Sequence, residues 1–284
     1  MIICICGPTG VGKTKLSIEL AKKYNAIVLN CDAMQVYKGM DIGTAKIKEE
    51  EKENVKHYLF DIRNVDEDYS VYDYQKDVRK ILNENKDKNV IIVGGTGLYM
   101  KAALYDYRFS DEEVSDDRYN NLTNEELYNL CLNKDKNMDI HVNNRKRLIR
   151  FLNKKETINN KDELLYDAKF IGLTTSREIL YERINNRVDE MISEGLIEEV
   201  KHFYDQKNYS KALMTAIGYK ELYEYFDKRI SLDEAINLIK QRSRKYAKRQ
   251  YTWYNNQMSI EWFEVDFNNF NNTIDKVINY LEEQ

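Results

Sequence analysis

The amino-acid sequence predicts an α/β fold, a parallel sheet flanked by helices, and three observations carry that reading. Strand-like and helix-like segments alternate along the N-terminal part of the chain. The first apolar run leads directly into a glycine loop and a helix. A second glycine turn then follows a later strand, at what would be the same edge of the sheet.

Met1–Cys6 is short, apolar and β-branched, as a buried strand requires. Thr14–Tyr24 then carries Leu16, Ile18, Leu20 and Ala21 at helical spacing, and Ala26–Leu29 reads as the second strand, ending at Asn30-Cys31-Asp32. Tyr58–Ile62 is a candidate third strand. Ser70-Val71-Tyr72-Asp73 resembles a capping box that opens a helix towards Leu82. Val90–Val93 is a strong strand, and Gly94-Gly95-Thr96-Gly97 turns it into a helix from Leu98 to about Tyr105. From Phe109 to Asp139 the texture becomes acidic and Asn-rich, which predicts a small helical insertion at 109–139 within a core formed by 1–108 and 140–284. The α/β pattern resumes at Phe170–Thr174. The remainder reads as mostly helical, with helix starts at Thr175-Ser176-Arg177-Glu178 and Ser231-Leu232-Asp233-Glu234.

A chain of 284 residues suits one large domain or a core with an insertion, and 42% hydrophobic against 32% charged residues argues against disorder. No apolar run approaches the ~20 residues needed to cross a bilayer. Met1–Cys6 is too short for a signal peptide, so the expected address is the cytoplasm. Cys4, Cys6, Cys31 and Cys131 lack zinc spacing and are expected to be free, buried thiols. His57, His141 and His202 are isolated and read as packing or surface residues. The net charge is −4, yet two blocks are free of acids: Asn143–Lys155 with Arg145, Lys146, Arg147, Arg150, Lys154 and Lys155, and Lys240–Arg249 with Lys240, Arg242, Arg244, Lys245, Lys248 and Arg249. Such blocks are either nucleic-acid contacts or solvated helix faces.

Gly7-Pro8-Thr9-Gly10-Val11-Gly12-Lys13-Thr14 matches G-x-x-x-x-G-K-[ST] completely, between a strand and a helix. Gly10 and Gly12 let backbone N–H groups converge on phosphate oxygens, the helix N-terminus adds partial positive charge, Lys13 supplies a full one, and the Thr14 hydroxyl suits Mg²⁺. The ligand is therefore expected to carry a di- or triphosphate. A GTPase switch is disfavoured: Asn160-Lys161-Asp162-Glu163 ends in Glu and follows no strand. A nucleotide or small-molecule kinase stays open. Asp32 lies at the carboxyl edge of the sheet, where a carboxylate can accept a proton, hold Mg²⁺ through water or cap a turn.

These segments together resemble the tRNA dimethylallyltransferase (isopentenyl-tRNA transferase) family. The resemblance rests on the P-loop, on Asp32-Ala33-Met34-Gln35-Val36-Tyr37-Lys38-Gly39-Met40-Asp41-Ile42-Gly43-Thr44-Ala45-Lys46, on Tyr69-Ser70-Val71 and on Gly94-Gly95-Thr96-Gly97-Leu98-Tyr99. It continues through Arg147-Leu148-Ile149-Arg150, Gly218-Tyr219 and Lys248-Arg249-Gln250-Tyr251-Thr252-Trp253, spanning nearly the whole chain in order. It implies a P-loop NTPase-like core that moves a dimethylallyl group from dimethylallyl diphosphate to N6 of adenosine 37 beside the tRNA anticodon. The loop would then hold the diphosphate with Mg²⁺ at Thr14, where ATP is also expected to bind. The resemblance further implies Asp32 as general base, Thr96 lining the channel and Arg187 facing the pyrophosphate. Asp32, Ala33, Met34, Gln35 and Thr96 would meet the flipped adenine. Arg118, Lys146, Arg147, Leu148, Ile149, Arg150, Gly218, Tyr219, Lys220, Lys248, Arg249 and Trp253 would contact the anticodon stem-loop, with Trp253 stacking or packing. A monomer is expected. The insertion is shorter than in the family, and its prolines near Val142 and Asn144 are absent.

Overall fold

The computed structural model describes residues 1–109, 117–153 and 163–283. Lys154, Lys155 and Asn160-Lys161-Asp162 lie outside the described residues. The chain forms two units, Met1–Tyr105 with Leu164–Gln284, and Asp106–Glu163. The first begins with β1 (Ile2–Cys6), α1 (Lys13–Tyr24), β2 (Ala26–Asn30), β3 (His57–Tyr58), α2 (Val71–Glu84), β4 (Asn89–Val93) and α3 (Gly97–Leu104). The second contains α4 (Asn124–Lys134) and α5 (Arg145–Asn153). The first unit then resumes with β5 (Ala168–Thr174), α6 (Arg177–Ser193), α7 (Leu196–Asp205), α8 (Lys211–Thr215), α9 (Tyr219–Phe226), α10 (Leu232–Gln257), β6 (Glu261–Glu264) and α11 (Phe270–Glu282).

The described strands form one sheet in the order β3-β2-β4-β1-β5-β6, and every pairing is parallel. Side-chain alternation explains why β1 is apolar throughout: Ile3 and Ile5 enter the core on one face, and Cys4 and Cys6 enter the core on the other. Leu16 and Leu20 of α1 with Ile274 and Val277 of α11 cover the first face. Tyr74 and Val78 of α2, Met100 of α3 and Tyr254 of α10 cover the second. All four cysteines are free and buried. Ser70, Thr123 and Ser231 each close a capping box, while Ser176 caps α6 through Ile179 N–H. No described helix is long and apolar enough to cross a membrane.

Three features depart from the sequence reading. β3 ends at Tyr58, because Leu59 and Asp61 take left-handed backbone angles of 67° and 54° that an extended strand cannot hold. β6 was not anticipated: it is a four-residue edge strand, Glu261-Trp262-Phe263-Glu264, too short to register as a period. The helical unit spans Asp106–Glu163, wider than 109–139, since α5 buries Leu148 against Leu127 and Cys131 of α4. Arg145 fastens α5 further by donating to the carbonyls of Tyr119 and Asn120 at 2.8 Å, and to that of Leu122.

Candidate active site

The loop after β1 sits at the carboxyl edge of the sheet. Gly10 and Gly12 hold φ of 83° and 101°, angles that a side chain would strain, and Val11 anchors the loop by full burial. Helix α1 starts without a side-chain cap and with no acid in its first turn, unlike α2, α4 and α10. Its first N–H groups are thus left for an anion. Lys13 donates to Pro8 O at 2.8 Å, and burial pushes its ammonium down to about 8 although Asp32 pulls the other way. From α6, Arg183 donates to Gly10 O at 3.0 Å. Arg187, one helical turn on, is lowered from the usual arginine value by burial.

Asp32 is set by a buried amide. Asn30 accepts from Asp32 N–H at 2.9 Å and donates to the carbonyls of Asp32 and Leu59 at 3.1 and 3.0 Å. The Asp32 carboxylate in turn accepts Met34 N–H at 2.9 Å. Burial raises its pKa, against the opposing effects of the Met34 N–H, Lys13, the Gln35 N–H and Arg187. Thr96 stands at the N-cap of α3 yet does not cap it; its hydroxyl accepts Ala33 N–H at 3.1 Å, tying the β4 turn to the Asp32 segment. Lys13, Asp32 and Arg187 lie close enough to feel one another's charges, and Arg187 also feels Glu190, Glu51 and Arg183. Half-buried cations beside an uncapped helix N-terminus favour a bound anion.

The IPP transferase family matches residues 35–257. The chain belongs to this family. It is 47% identical to the tRNA dimethylallyltransferase of Geobacillus thermodenitrificans (strain NG80-2), over 99% of this chain and 96% of that protein. The crystal structure of the full-length tRNA isopentenylpyrophosphate transferase from Bacillus halodurans is similar at 39% identity and a TM-score of 0.78, covering 99% of this chain and 95% of that one. A eukaryotic dimethylallyltransferase acting on tRNA is similar at 26% identity with a TM-score of 0.84, covering 100% of this chain and 80% of that one. Membership makes the chain a prenyltransferase on a P-loop NTPase-like fold, as the sequence predicted.

In this IPP transferase the expected RNA-contacting residues fall into distinct classes. Ala33, Met34 and Gln35 are half-buried around the Asp32 turn. Lys146, Arg147 and Arg150 are exposed on α5; Arg118, ahead of α4, is also exposed, and its guanidinium lies 5.8 Å from the Tyr119 ring centre. Lys220, Lys248 and Arg249 are exposed in the first unit. Three expectations need correction. Leu148 is fully buried in the small core of its own unit, with Ile149 packed against it. Tyr219 is fully buried and Gly218 is buried too, because α9 docks that end on the main core. The second basic block is partly spent inside the protein: Lys240 pairs with Asp189 at 2.6 Å, Arg242 with the buried Glu221, and Arg244 with Asn185. Trp253 is half-buried, and a Cβ at Gly97 would lie 2.1 Å from its ring, so it packs on the turn.

Two site residues escaped the sequence reading. Gln250 accepts Thr9 N–H and donates to Gly95 O, both at 3.0 Å, clasping the P-loop to the glycine turn. Its signal was a polar residue on the buried Ala247–Tyr254 face of α10. Tyr246 lies near Thr96 and close enough to Asp32 to feel its charge. In sequence it was an ordinary helical tyrosine.

Proposed function

We propose that the chain transfers a dimethylallyl group from dimethylallyl diphosphate to N6 of adenosine 37 in the tRNA anticodon loop, releasing pyrophosphate. The carrying observation is the pair of half-buried cations, Lys13 and Arg187, near the Asp32 carboxylate at an uncapped helix N-terminus. The bond between C1 of the prenyl group and the diphosphate oxygen breaks, and the leaving oxygen keeps the electron pair. The N6–C1 bond forms, and one N6 proton passes to Asp32. Loop N–H groups, Lys13 and Arg187 meet the charge that grows on the leaving group. Asp32, with its pKa raised, is a stronger acceptor than an ordinary aspartate for a weakly basic amine.

Mg²⁺ fits this site as a companion of the diphosphate. Thr14 offers an exposed hydroxyl in the first turn of α1, and among the described residues no group of three or more His, Cys, Asp or Glu could hold a metal. Thr14 and diphosphate oxygens would hold the ion, which would neutralise leaving-group charge. The reading includes a monomeric cytoplasmic enzyme, with which the free buried thiols accord. Incubation with radiolabelled dimethylallyl diphosphate, Mg²⁺ and unmodified tRNA should label one adenosine and release pyrophosphate. ATP should compete for the loop without turnover. Transfer or hydrolysis of the ATP γ-phosphate, with no labelled nucleoside, would replace this reading with a kinase.

The exposed cations carry the proposed grip on the anticodon stem-loop. Neutralising Lys248 and Arg249, or Arg147 and Arg150, should flatten the plot of log affinity against log salt by ~0.7–0.9 for each RNA phosphate that loses its cation. Binding of the prenyl diphosphate should be unchanged. An unaltered slope in filter-binding titrations of both variants would make these residues solvated decoration.

A further inference from the structure

Between the Asp32 turn and Lys46 the chain makes a loop whose own bonds close its tip, Lys46 N–H donating to Asp41 O and Ala45 N–H to Ile42 O, both at 2.9 Å. Glu199, reaching from α7, anchors the near side of that loop to the main core. One carboxylate oxygen accepts the N–H groups of Asp41 and Ile42 at 3.0 and 2.7 Å, and the other accepts Gly43 N–H at 3.0 Å and the Tyr219 hydroxyl. Three consecutive backbone donors on one carboxylate make a nest with an anion already in it. Gly43 must be glycine for this contact, since a Cβ there would lie 2.5 Å from the Tyr219 ring. The burial of Tyr219, unexplained by any RNA contact, is accounted for here: its hydroxyl holds Glu199 from behind.

The loop closed in this way presents two carbonyls to Gln35. Its Nε2 donates to Thr44 O at 3.0 Å and to Ala45 O at 3.3 Å. Only the NH₂ side of an amide can satisfy two carbonyls, so the orientation of the side chain is determined. Gln35 Oε1 is left as its one hydrogen-bonding side-chain atom without a partner among the described residues. Gln35 lies three residues from Asp32, on the same half-buried turn.

We propose that Glu199, braced by Tyr219, is a positioning residue for base recognition: it shapes the 41–45 loop so that Gln35 presents a fixed acceptor oxygen to the incoming base. An acceptor selects a base with an amino group at the 6-position and disfavours one with a carbonyl there, hence adenine over guanine. This inference rests on the proposed function, in which the Asp32–Gln35 turn meets the target base.

The test is competition binding of two anticodon stem-loops that differ only in carrying A or G at position 37. Wild-type protein should prefer the adenine loop by about tenfold, the scale of one well-placed hydrogen bond in a partly desolvated site. Glu199→Gln has one acceptor oxygen where the carboxylate has two, orphans a loop N–H, and should lose most of that preference with its salt slope and diphosphate binding unchanged. Gln35→Ala should lose the same preference, and the double variant no more than either single one, because both changes act through one amide. If Glu199→Gln fails to fold, Gly43→Ala, which displaces the loop from the Tyr219 side, should reproduce the loss. A folded Glu199→Gln or Gly43→Ala protein that keeps the full adenine preference overturns the inference, as does strict additivity in the double variant. Failure of the proposed function is separable from this: it would appear as wild-type protein that transfers no prenyl group. A wild type that prenylates tRNA but binds both loops equally overturns the role given to Gln35 and Glu199 alone.

Discussion

Replacing Asp32 with asparagine is expected to lower turnover by ~10²–10⁴, the usual scale for removing a general base, while leaving tRNA affinity nearly unchanged. Asparagine keeps the oxygen that accepts Met34 N–H, so the turn survives and only the proton acceptor is lost. The direction of the Asp32 shift separates chemistry from folding. Its pKa is raised by burial, so the native chain holds that proton more tightly than the unfolded chain does. Its contribution to stability is therefore full below the unfolded carboxylate value and is lost as pH rises through the raised one. At neutral pH the Asp32 charge is a burden on the ligand-free fold, and Asp32→Asn should melt no lower than wild type. Single-turnover transfer from labelled dimethylallyl diphosphate, with a melting curve of the same preparation, decides the matter. Near-normal turnover would remove Asp32 from its role, and a large drop in melting temperature would reduce the rate loss to misfolding.

Much of this site was legible because its parts obey local rules. A P-loop is one contiguous segment whose glycines, lysine and threonine have fixed offsets, and Asp32 announces itself by following a strand that must end at the ligand-bearing edge. What stayed hidden depends on partners far along the chain. Gln250 joins Thr9 to Gly95 across 241 and 155 positions, and Glu199 meets Asp41 across 158. No spacing rule links such residues. The basic blocks show the converse error. Charge alone cannot tell Arg242, committed to the buried Glu221, from Lys248, exposed on the same helix. Leu148 was read with its basic neighbours when its helical phase puts it in a core. The width of the helical unit was missed for the same reason: the first basic block was placed with the core at 140–284, and its partner α4 lay in a stretch too polar to advertise a core.

Lys13→Ala should weaken binding of the prenyl diphosphate by roughly 10- to 100-fold, the range for losing a hydrogen bond to a charged group, with tRNA binding intact. Lys13→Arg should not restore it, since a planar fork does not replace a compact ammonium folded back on Pro8 O. The pH dependence is the sharper reading. In the free protein burial brings Lys13 to about 8, well below its unfolded value. Between those two values the unfolded chain carries more protons, so Lys13 makes the free fold more stable as pH rises through the window. Diphosphate binding acts in the opposite sense, because the anion needs the ammonium and returns its proton. Binding near pH 8 should therefore take up a proton, and above that value the apparent affinity should fall by up to about tenfold per pH unit. Arg187 cannot lose its charge in this range and contributes no such slope. Calorimetric titration in two buffers of different ionisation heat measures the proton uptake directly. An affinity that stays flat from about pH 7 to about pH 9, across the Lys13 transition, would mean that Lys13 does not touch the diphosphate. The same flat profile in Lys13→Ala, beside a sloped wild type, would assign the slope to this side chain.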